Sequence, residues 1–463
     1  MKGFFFKTKK GNEYFYDDIT GNVIFVKSKN DIKKLQSNYR KKYFYDNKKI
    51  NVKNIKNYIK NKGSKELFFI VTEDCNLRCK YCAYSGEYSN MRTHNNVYMD
   101  YNIAKKAIDK YFSDISNTQK INPYFIPAIG FYGGEPLINF DLIKKTIMYI
   151  KNKKYKCHFT ITTNGTILND EIIKFLAENE VSLAFSLNGF KEEHDRLRVF
   201  SNQNGTFEIV YNNLLKIKEK YPFYYKKYCS IIACYDYGTD LFKMKDFFDN
   251  SNLSERLIRL NMIGSSYTNW YNQYSKEKKE KFFSQMRKLK NLYFHKIKKN
   301  ENDKFLSLLF GLSYFAILNR NINVNLYEIR PSFLPFTGTC VPGEKIAISP
   351  SGDLHCCEKI NYDFPIGNVE NWLDYSKIEE IVKKYNKKLK SECLICPVSR
   401  LCPLCFALLA GNGEFKKDPP DICENVKEGI KKSFEEIWNL LEEGVNIFDL
   451  IKFSKYKQCG VYI

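Results

Sequence analysis

Three closely spaced cysteines are the residues of this chain whose types and spacing most directly suggest a chemistry. Cys75, Cys79 and Cys82 have the spacing C-x3-C-x2-C and follow an apolar run at residues 67–71 that predicts a β-strand. Thiolates bind soft metals, and three on one short loop can hold three irons of a cubane [4Fe–4S] cluster. The fourth iron is then open to a substrate or cofactor. Zinc in a structural site normally has four closed ligands, so three cysteines alone fit zinc poorly.

This loop resembles the signature of the radical S-adenosylmethionine (SAM) enzymes, C-x3-C-x-aromatic-C, with Tyr81 as the aromatic residue. The resemblance implies that Cys75, Cys79 and Cys82 are catalytic, because they would hold the cluster whose open iron binds SAM. One-electron reduction would then release a 5′-deoxyadenosyl radical, and Tyr81 would belong to the SAM site. The alternative is a loop of three structural cysteines.

A Gly-Gly-Glu-Pro sequence, Gly133, Gly134, Glu135 and Pro136, follows a predicted strand at residues 128–132. The glycines allow close approach of the backbone to a ligand, and the glutamate can accept hydrogen bonds from an ammonium group. Alone it would equally be a turn before a helix. About fifty residues after the cysteine loop, it resembles the family element that binds the amino group of SAM.

Two further motifs follow the next predicted strands. Asn164 lies in a Thr-Thr-Asn-Gly-Thr turn that resembles the family's TNG turn, although turn geometry alone would also explain Asn-Gly. Ser186 and Arg198 begin and end a pattern that resembles SLDG…HDxxR of the SPASM-containing radical SAM enzymes, with Asn188 in place of the usual aspartate. The resemblance implies that Asn164, Ser186 and Arg198 contact SAM. His194 is predicted to be structural.

Cysteines return in the last third of the chain with the spacing C-x11-G-x4-C, then C-x2-C-x5-C-x2-C, then a final cysteine. Over about 90 residues this resembles the SPASM auxiliary-cluster domain, except that the last central spacing is two residues rather than three. The resemblance implies one fully ligated cluster, auxiliary II, held by Cys393, Cys396, Cys402 and Cys423. It implies a second, auxiliary I, held by Cys340, Cys357 and Cys405, with its fourth site open or filled by Cys356. A pair of zinc ribbons is the rival interpretation. Cys157, Cys229 and Cys234 have no partners at ligand spacing, and burial explains them.

Alternating strand and helix patterns between these motifs predict an α/β fold. Six strand candidates occur, at residues 67–71, 128–132, 158–162, 183–187, 230–234 and 257–262. Six βα repeats imply a partial (βα)6 TIM-like barrel at residues 67–275, with ligands at the carboxyl ends of its strands. Residues 276–335 are predicted to form a helical bridge and residues 336–450 the SPASM domain.

Residues 1–66 predict a small winged-helix-like α+β module. Three short β-like runs with Gly-Asn turns precede helical patterns at residues 31–39 and 52–59. The module resembles the precursor-recognition element of radical SAM peptide-modifying enzymes, which binds a leader peptide along its third strand. A decorative extension or a DNA-binding wing is the alternative.

Composition limits the cellular setting. No signal peptide is visible, and the most apolar run, residues 305–318, is too short to span a bilayer, so we expect a cytoplasmic protein that does not bind membranes. Fifteen cysteines in a reducing compartment indicate metal or redox chemistry. The net charge of +22 is spread along the chain and predicts a solvated basic surface rather than a nucleic-acid partner.

Together these features predict a radical SAM oxidoreductase with three [4Fe–4S] clusters and SAM as cofactors. The expected substrate is a ribosomally made precursor peptide, the expected product a cysteine thioether crosslink, and the expected electron donor a flavodoxin- or ferredoxin-type protein. Carbon–carbon (cyclophane-type) crosslinking and anaerobic sulfatase maturation are the alternatives. Outside this class stand an RNA-modifying radical SAM enzyme and a non-catalytic zinc or electron-transfer protein.

Overall fold

A computed structural model of the chain describes residues 2–27, 50–251, 253–320, 340–359 and 361–454, together with Ile32 and Leu334. The helix expected at residues 31–39 falls mostly outside the described residues. Strands in the described part form a ten-stranded, a three-stranded and a two-stranded sheet.

The three-stranded sheet is built by the N-terminal residues. Its antiparallel strands lie in chain order and agree with the expected runs: β1 (Gly3–Lys7), β2 (Glu13–Asp17) and β3 (Val23–Phe25). The helix expected at residues 52–59 is α1 (Val52–Lys62), whose N-cap Asn51 accepts a hydrogen bond from the backbone of Asn54.

Six parallel strands form the larger part of the ten-stranded sheet. They are β4 (Glu66–Thr72), β5 (Ala128–Gly133), β6 (His158–Thr163), β7 (Ser182–Ser186), β8 (Cys229–Tyr235) and β9 (Leu257–Met262). Each pairs in parallel with the next, and each lies within one or two residues of its prediction. Both faces of these strands are largely buried, which is why they read as short apolar runs.

Helices connect these strands: α2 (Tyr101–Ile121), α3 (Phe140–Asn152), α4 (Asp170–Glu178), α5 (Lys191–Leu197), α6 (Phe207–Lys220), α7 (Pro222–Tyr228) and α8 (Leu241–Asn250). The long helix α2 shows why they pack on the sheet. Its buried side chains Ala104, Ala107, Ile108 and Tyr111 recur at helical spacing and so form one apolar face.

The chain after the barrel strands is helical first and then mixed. Its helices are α9 (Lys276–Lys298), α10 (Lys304–Leu306), a π-helical turn (Ser307–Gly311), α11 (Leu312–Leu318), α12 (Tyr375–Ile395), α13 (Phe406–Leu409), α14 (Ile422–Glu442) and α15 (Ile447–Ser454). Its strands are β10 (Lys345–Ile348), β11 (Asp353–His355), β12 (Pro365–Asn368), β13 (Trp372–Leu373), β14 (Ala410–Gly411) and β15 (Glu414–Phe415).

Strand β10 joins this C-terminal part to the six parallel strands. It pairs in parallel with β4, and the sheet then continues through β11, β12 and β13. Lys345 of β10 forms an ion pair across the junction with Glu66 of β4 at 2.8 Å, and a second one with Glu358 of its own part at 2.9 Å. The cysteine-rich part and the six parallel strands therefore share one sheet, although the sequence predicted them as successive domains.

The N-terminal sheet and α1 pack on different elements. Aromatic residues of the sheet contact α14, with the ring of Phe6 5.5 Å from that of Trp438 and Tyr16 4.8 Å from Phe434. Helix α1 packs against α2 and α12, and the hydroxyl of Tyr58 donates to Glu344 at 2.8 Å. None of the helices in the described part of the chain combines the length and apolar character that a bilayer crossing requires.

Candidate functional site

The cysteine loop follows β4 at the carboxyl edge of the sheet and is held by a distant segment. The backbone N–H of Arg78 donates to the carbonyl of Val199 at 2.7 Å, and that of Lys80 donates to Leu197 at 2.9 Å. A further antiparallel bridge joins Leu77 to this segment. The first and last of the predicted SAM motifs are therefore in direct backbone contact.

The thiols of this loop receive backbone hydrogen bonds. The Sγ of Cys75 accepts from the N–H of Leu77 at 3.4 Å, and the Sγ of Cys82 accepts from Tyr84 at 3.4 Å. Burial, with a smaller contribution from Cys79, raises the pKa of Cys75 to about 12 and that of Cys82 to about 11. Three thiols are thus gathered on one loop, with N–H donors aimed at sulfur.

The end of β5 lies against the start of the cysteine loop. A Cβ on Gly133 would stand 2.1 Å from the carbonyl oxygen of Thr72, and one on Gly134 would stand 2.0 Å from that of Asp74. Gly133 also has a φ of 148°. The two glycines are therefore required by the approach of one chain segment to another, whereas the sequence argument assigned them to ligand access.

Glu135 is buried and ties three segments together. Its Oε2 accepts from the backbone N–H of Asn164 at 2.6 Å, and its Oε1 accepts from the hydroxyl of Thr163 at 2.8 Å. Its own N–H donates to Asp74 at 2.9 Å, and Pro136 begins the short 3-10 helix that follows. Burial raises the pKa of this carboxyl.

Asn164, directly after β6, and Arg198, directly after α5, both reach the loop. The Asn164 side-chain nitrogen donates to Asn76 at 2.8 Å and lies 3.9 Å from the Sγ of Cys75. The Arg198 guanidinium donates to the hydroxyl of Tyr81 at 2.8 Å. Arg198 is buried, and its Nε has no hydrogen-bond partner among the described residues. A buried cation with a free N–H fits an anionic group such as a carboxylate.

The remaining motif residues lie close to the same loop. Ser186 ends β7 and is half-buried, and its contact with SAM stays a prediction. Asn188 donates to Tyr81 at 3.4 Å and accepts from the backbone of Cys234 at 3.0 Å. His194 is buried between the backbone of Asn188 and the hydroxyl of Thr206, in line with its predicted structural role.

Several residues at the site carried no sequence signal. Asn76 stands between the first two cysteines and donates to Thr166 at 2.8 Å, and His94 lies 3.7 Å from the Sγ of Cys82. Arg92 lies 3.9 Å over the ring of Tyr84. Cys234, which burial alone was expected to explain, is raised in pKa by burial but also lies beside Tyr81.

A cavity of about 720 Å³ opens beside the loop. Its lining includes Cys79, Tyr84 and His94, together with Trp270 and Gln273. The indole N–H of Trp270 donates to the buried carboxylate of Asp236 at 3.2 Å, which holds this ring in place. Because Cys79 lines the cavity, the cavity lies next to the predicted cluster.

Four C-terminal cysteines line a second, smaller cavity. They are the cysteines expected to hold auxiliary II: Cys393, Cys396, Cys402 and Cys423. Burial, with smaller contributions from neighbouring cysteines of the same group, raises the pKa of Cys393 and of Cys402 to about 12. Backbone N–H groups at Val398 and Leu404 again point to sulfur, two residues after Cys396 and Cys402.

The cysteines expected at auxiliary I also lie near one another. The pKa of Cys356 is raised first by burial and then by the thiolates of Cys357, Cys340 and Cys405. The Sγ of Cys357 accepts from the backbone of Lys359 at 3.1 Å. Cys356 therefore lies near all three expected members of this group.

No group of three or more histidine, cysteine, aspartate or glutamate side chains in the described ranges is arranged around a single metal ion. In a cubane cluster each cysteine binds a different iron atom, so its ligands surround a larger body than one ion.

The chain is similar in sequence to several known proteins. Residues 69–233 match the model of the radical SAM superfamily. An uncharacterised protein of Methanocaldococcus jannaschii is 37% identical over 142 residues, 30% of this chain and 44% of that protein. A cysteine-type anaerobic sulfatase-maturating enzyme of Clostridium novyi is 30% identical over 158 residues, 33% of this chain and 40% of that enzyme. The chain thus spans less than half the length of these two relatives.

A longer match extends beyond the barrel. The cysteine-type anaerobic sulfatase-maturating enzyme of Clostridium perfringens strain 13 is 23% identical over 392 residues, 79% of this chain and 95% of that enzyme. The solved structure of native anSMEcpe with bound AdoMet and Cp18Cys peptide has a TM-score of 0.57 at 20% identity, covering 82% of this chain and 99% of that chain. This structural likeness shows a shared fold.

Residues 69–233 of the chain carry a radical SAM domain. The chain is similar to cysteine-type anaerobic sulfatase-maturating enzymes, both within this domain and beyond it. A radical SAM domain uses SAM and a [4Fe–4S] cluster as cofactors, and the residues present fit both. Backbone N–H groups donate to the sulfur atoms of Cys75 and Cys82, and the free Nε of Arg198 is suited to an anion.

Gly134→Ala is predicted to displace the cysteine loop, because the new Cβ would stand 2.0 Å from the carbonyl of Asp74 and 3.0 Å from the Cβ of Cys75. A displacement near 1 Å can lower activity about 100-fold, so we expect SAM cleavage to fall by about that factor. Iron content after anaerobic reconstitution should fall as well.

Gly264→Ala is the matched control, since a Cβ there meets no atom within 4 Å. It should keep wild-type iron and activity. Wild-type iron and SAM cleavage in the Gly134→Ala protein would show that this contact does not position the loop.

Proposed function

We propose that this enzyme is a peptide maturase that crosslinks a cysteine of a ribosomally made precursor peptide, forming a thioether bond. The observation that carries the proposal is the outer edge of β3, because it offers a docking edge for a leader peptide in the same chain as the radical SAM site. A flavodoxin- or ferredoxin-type protein would supply the electron.

The cofactors, when bound, supply a 5′-deoxyadenosyl radical that removes a hydrogen atom from the substrate. The residues of the chain hold and orient them. Cys75, Cys79 and Cys82 would carry the cluster, and the free N–H of Arg198 would bind the SAM carboxylate. Glu135 keeps the loops of Asn164 and Asp74 together, so that the site is formed before substrate arrives.

Thioether formation joins an S–H and a C–H group with loss of two hydrogens. One leaves as a hydrogen atom to the adenosyl carbon, and the other leaves as a proton and an electron. That electron needs an acceptor, and the two auxiliary cysteine groups are where [4Fe–4S] acceptors would be held. The auxiliary I group, at Cys357, shares its sheet with the cysteine loop through β10 and β4.

The N-terminal sheet would receive the leader peptide by strand addition. Within the described residues, β3 pairs on one side only, with β2. The N–H of Val26 donates to β2, so by antiparallel alternation the backbone groups of Val23 and Phe25 face the outer edge. The Phe25 side chain is 48% exposed. These outward N–H and C=O groups match those of an extended peptide.

Oxidation of a peptide cysteine to formylglycine is the second candidate, favoured by the match that covers 95% of a cysteine-type sulfatase-maturating enzyme. Both candidates begin with a peptide cysteine at the site. They differ in the fate of sulfur, which is kept in a thioether and lost in formylglycine.

Phe25→Pro is predicted to weaken leader binding at least tenfold, because proline removes an outward N–H while an edge strand tolerates it. Phe25→Ala is the matched control, since it loses the same ring and keeps the N–H. Calorimetric titration with the leader segment of a peptide encoded beside this gene measures both. Equal affinity of the two variants would exclude docking along β3.

Anaerobic co-expression with such a peptide, followed by alkylation and tandem mass spectrometry, tests the reaction itself. We expect loss of two hydrogens for each link, with the linked cysteine protected from alkylation. The same loss with every thiol still reactive would show carbon–carbon crosslinking. Replacement of the cysteine thiol by an aldehyde would show formylglycine formation, and either result would refute the thioether proposal.

A further inference from the structure

Asp18 lies directly after β2. Its buried carboxylate contacts residues 397–401, which connect Cys396 to Cys402 in the C-terminal part. Its Oδ1 accepts from the backbone N–H of Arg400 at 3.0 Å, and its Oδ2 accepts from the hydroxyl of Ser399 at 2.8 Å. Asp18 and its two partners are each 3% exposed or less. A hydrogen bond to a charged group is stronger than one between neutral groups.

The contact is reciprocal. The Nε of Arg400 donates to the carbonyl of Asp18 at 2.9 Å, and the same guanidinium donates to the carbonyl of Ile19. Lys2 adds a cation 3.3 Å from the Asp18 carboxylate, and Tyr16 donates to it at 3.2 Å. The N-terminal sheet thus binds this loop by side-chain and backbone groups together.

The partners of Asp18 lie between two of the predicted cluster ligands. Ser399 and Arg400 lie in the five-residue connection between Cys396 and Cys402. Both of these cysteines line the small cavity that Cys393 and Cys423 complete. Cys396 directly follows α12, whereas Cys402 lies beyond the connection, and the contacts of Ser399 and Arg400 with Asp18 tie this connection to the N-terminal sheet.

We propose that Asp18 is a positioning residue for auxiliary II, holding residues 397–401 so that Cys396 and Cys402 face the other two ligands. The inference rests on the proposed function, which places a [4Fe–4S] cluster at these four cysteines. It makes the N-terminal sheet an outer wall of that site. A leader docked on β3 would then bind the same sheet that holds the auxiliary II ligands.

Asp18→Asn in the full-length, anaerobically reconstituted enzyme tests the proposal. The amide keeps the shape of the carboxylate but replaces one acceptor oxygen by an NH2 donor. Depending on which oxygen is replaced, this donor faces Ser399 and Lys2 or faces the backbone N–H of Arg400. With three clusters in the wild type, we expect iron and sulfide to fall by about a third. The Mössbauer and EPR signals of auxiliary II should disappear while the SAM cluster, and SAM cleavage without peptide, persist.

Glu442→Gln is the matched control. Its carboxylate joins the same sheet to α14, accepting from Thr8 at 3.0 Å, Asn12 at 3.0 Å and Tyr14 at 2.9 Å. It should keep all three clusters. Equal loss of auxiliary II in the Glu442→Gln and Asp18→Asn proteins would overturn the specific role of Asp18.

Ser399→Ala provides a milder variant if Asp18→Asn does not fold, and it should lose part of the same signal. Cys423→Ala removes one predicted ligand and so identifies the spectroscopic signal that belongs to auxiliary II. It thereby separates a failure of the cluster assignment from a failure of the positioning role. Unchanged iron in Cys423→Ala would refute the cluster assignment itself. Loss of the signal in Cys423→Ala, with full retention in both Asp18→Asn and Ser399→Ala, would refute only the positioning role.

Discussion

The close approach of β5 to the cysteine loop is the constraint on which the rest of the site depends. Gly134 lies so near the carbonyl of Asp74 that any side chain would collide with it. That approach brings Glu135 within reach of both Asp74 and Asn164. Because the carboxylate is buried and both oxygens are used, the loops after β4, β5 and β6 hold one another in place. A loop that must present three thiols to one cluster needs this support, since its own backbone is irregular.

A continuous sheet extends this support beyond the barrel. Strand β10 lies beside β4, and Cys356 and Cys357 follow β11, so these two cysteines extend from the same sheet as the cysteine loop. Lys345 pairs with Glu66 across the junction and with Glu358 on its own side of it. The auxiliary II cysteines are anchored differently, through the N-terminal sheet at Asp18. The distances between the predicted clusters are therefore set by β10 on one side and by a side-chain contact on the other.

Sequence patterns within single segments predicted the strands, because each strand forms from one such segment. All six barrel strands and the three N-terminal strands agree with the structure, because each is an apolar run bounded by turn residues. The spacing of Cys75, Cys79 and Cys82 predicted a shared loop. Contacts between distant segments could not be predicted: the pairing of Lys80 with Leu197 and the contact of Asp18 with Arg400 join residues far apart in the chain. The role of Gly134 was also missed, because its neighbour is another chain segment and no single segment records that approach.

The most direct test of the account is whether the three cysteines of the loop support reductive cleavage of SAM. The measurement is 5′-deoxyadenosine released from SAM under dithionite by anaerobically reconstituted protein. The account predicts release by the wild type and by Cys157→Ala, whose thiol lies before β6 at the opposite end of the strands. It predicts no release when Cys75, Cys79 and Cys82 are all replaced by alanine. Continued production of 5′-deoxyadenosine by that triple variant would contradict the account.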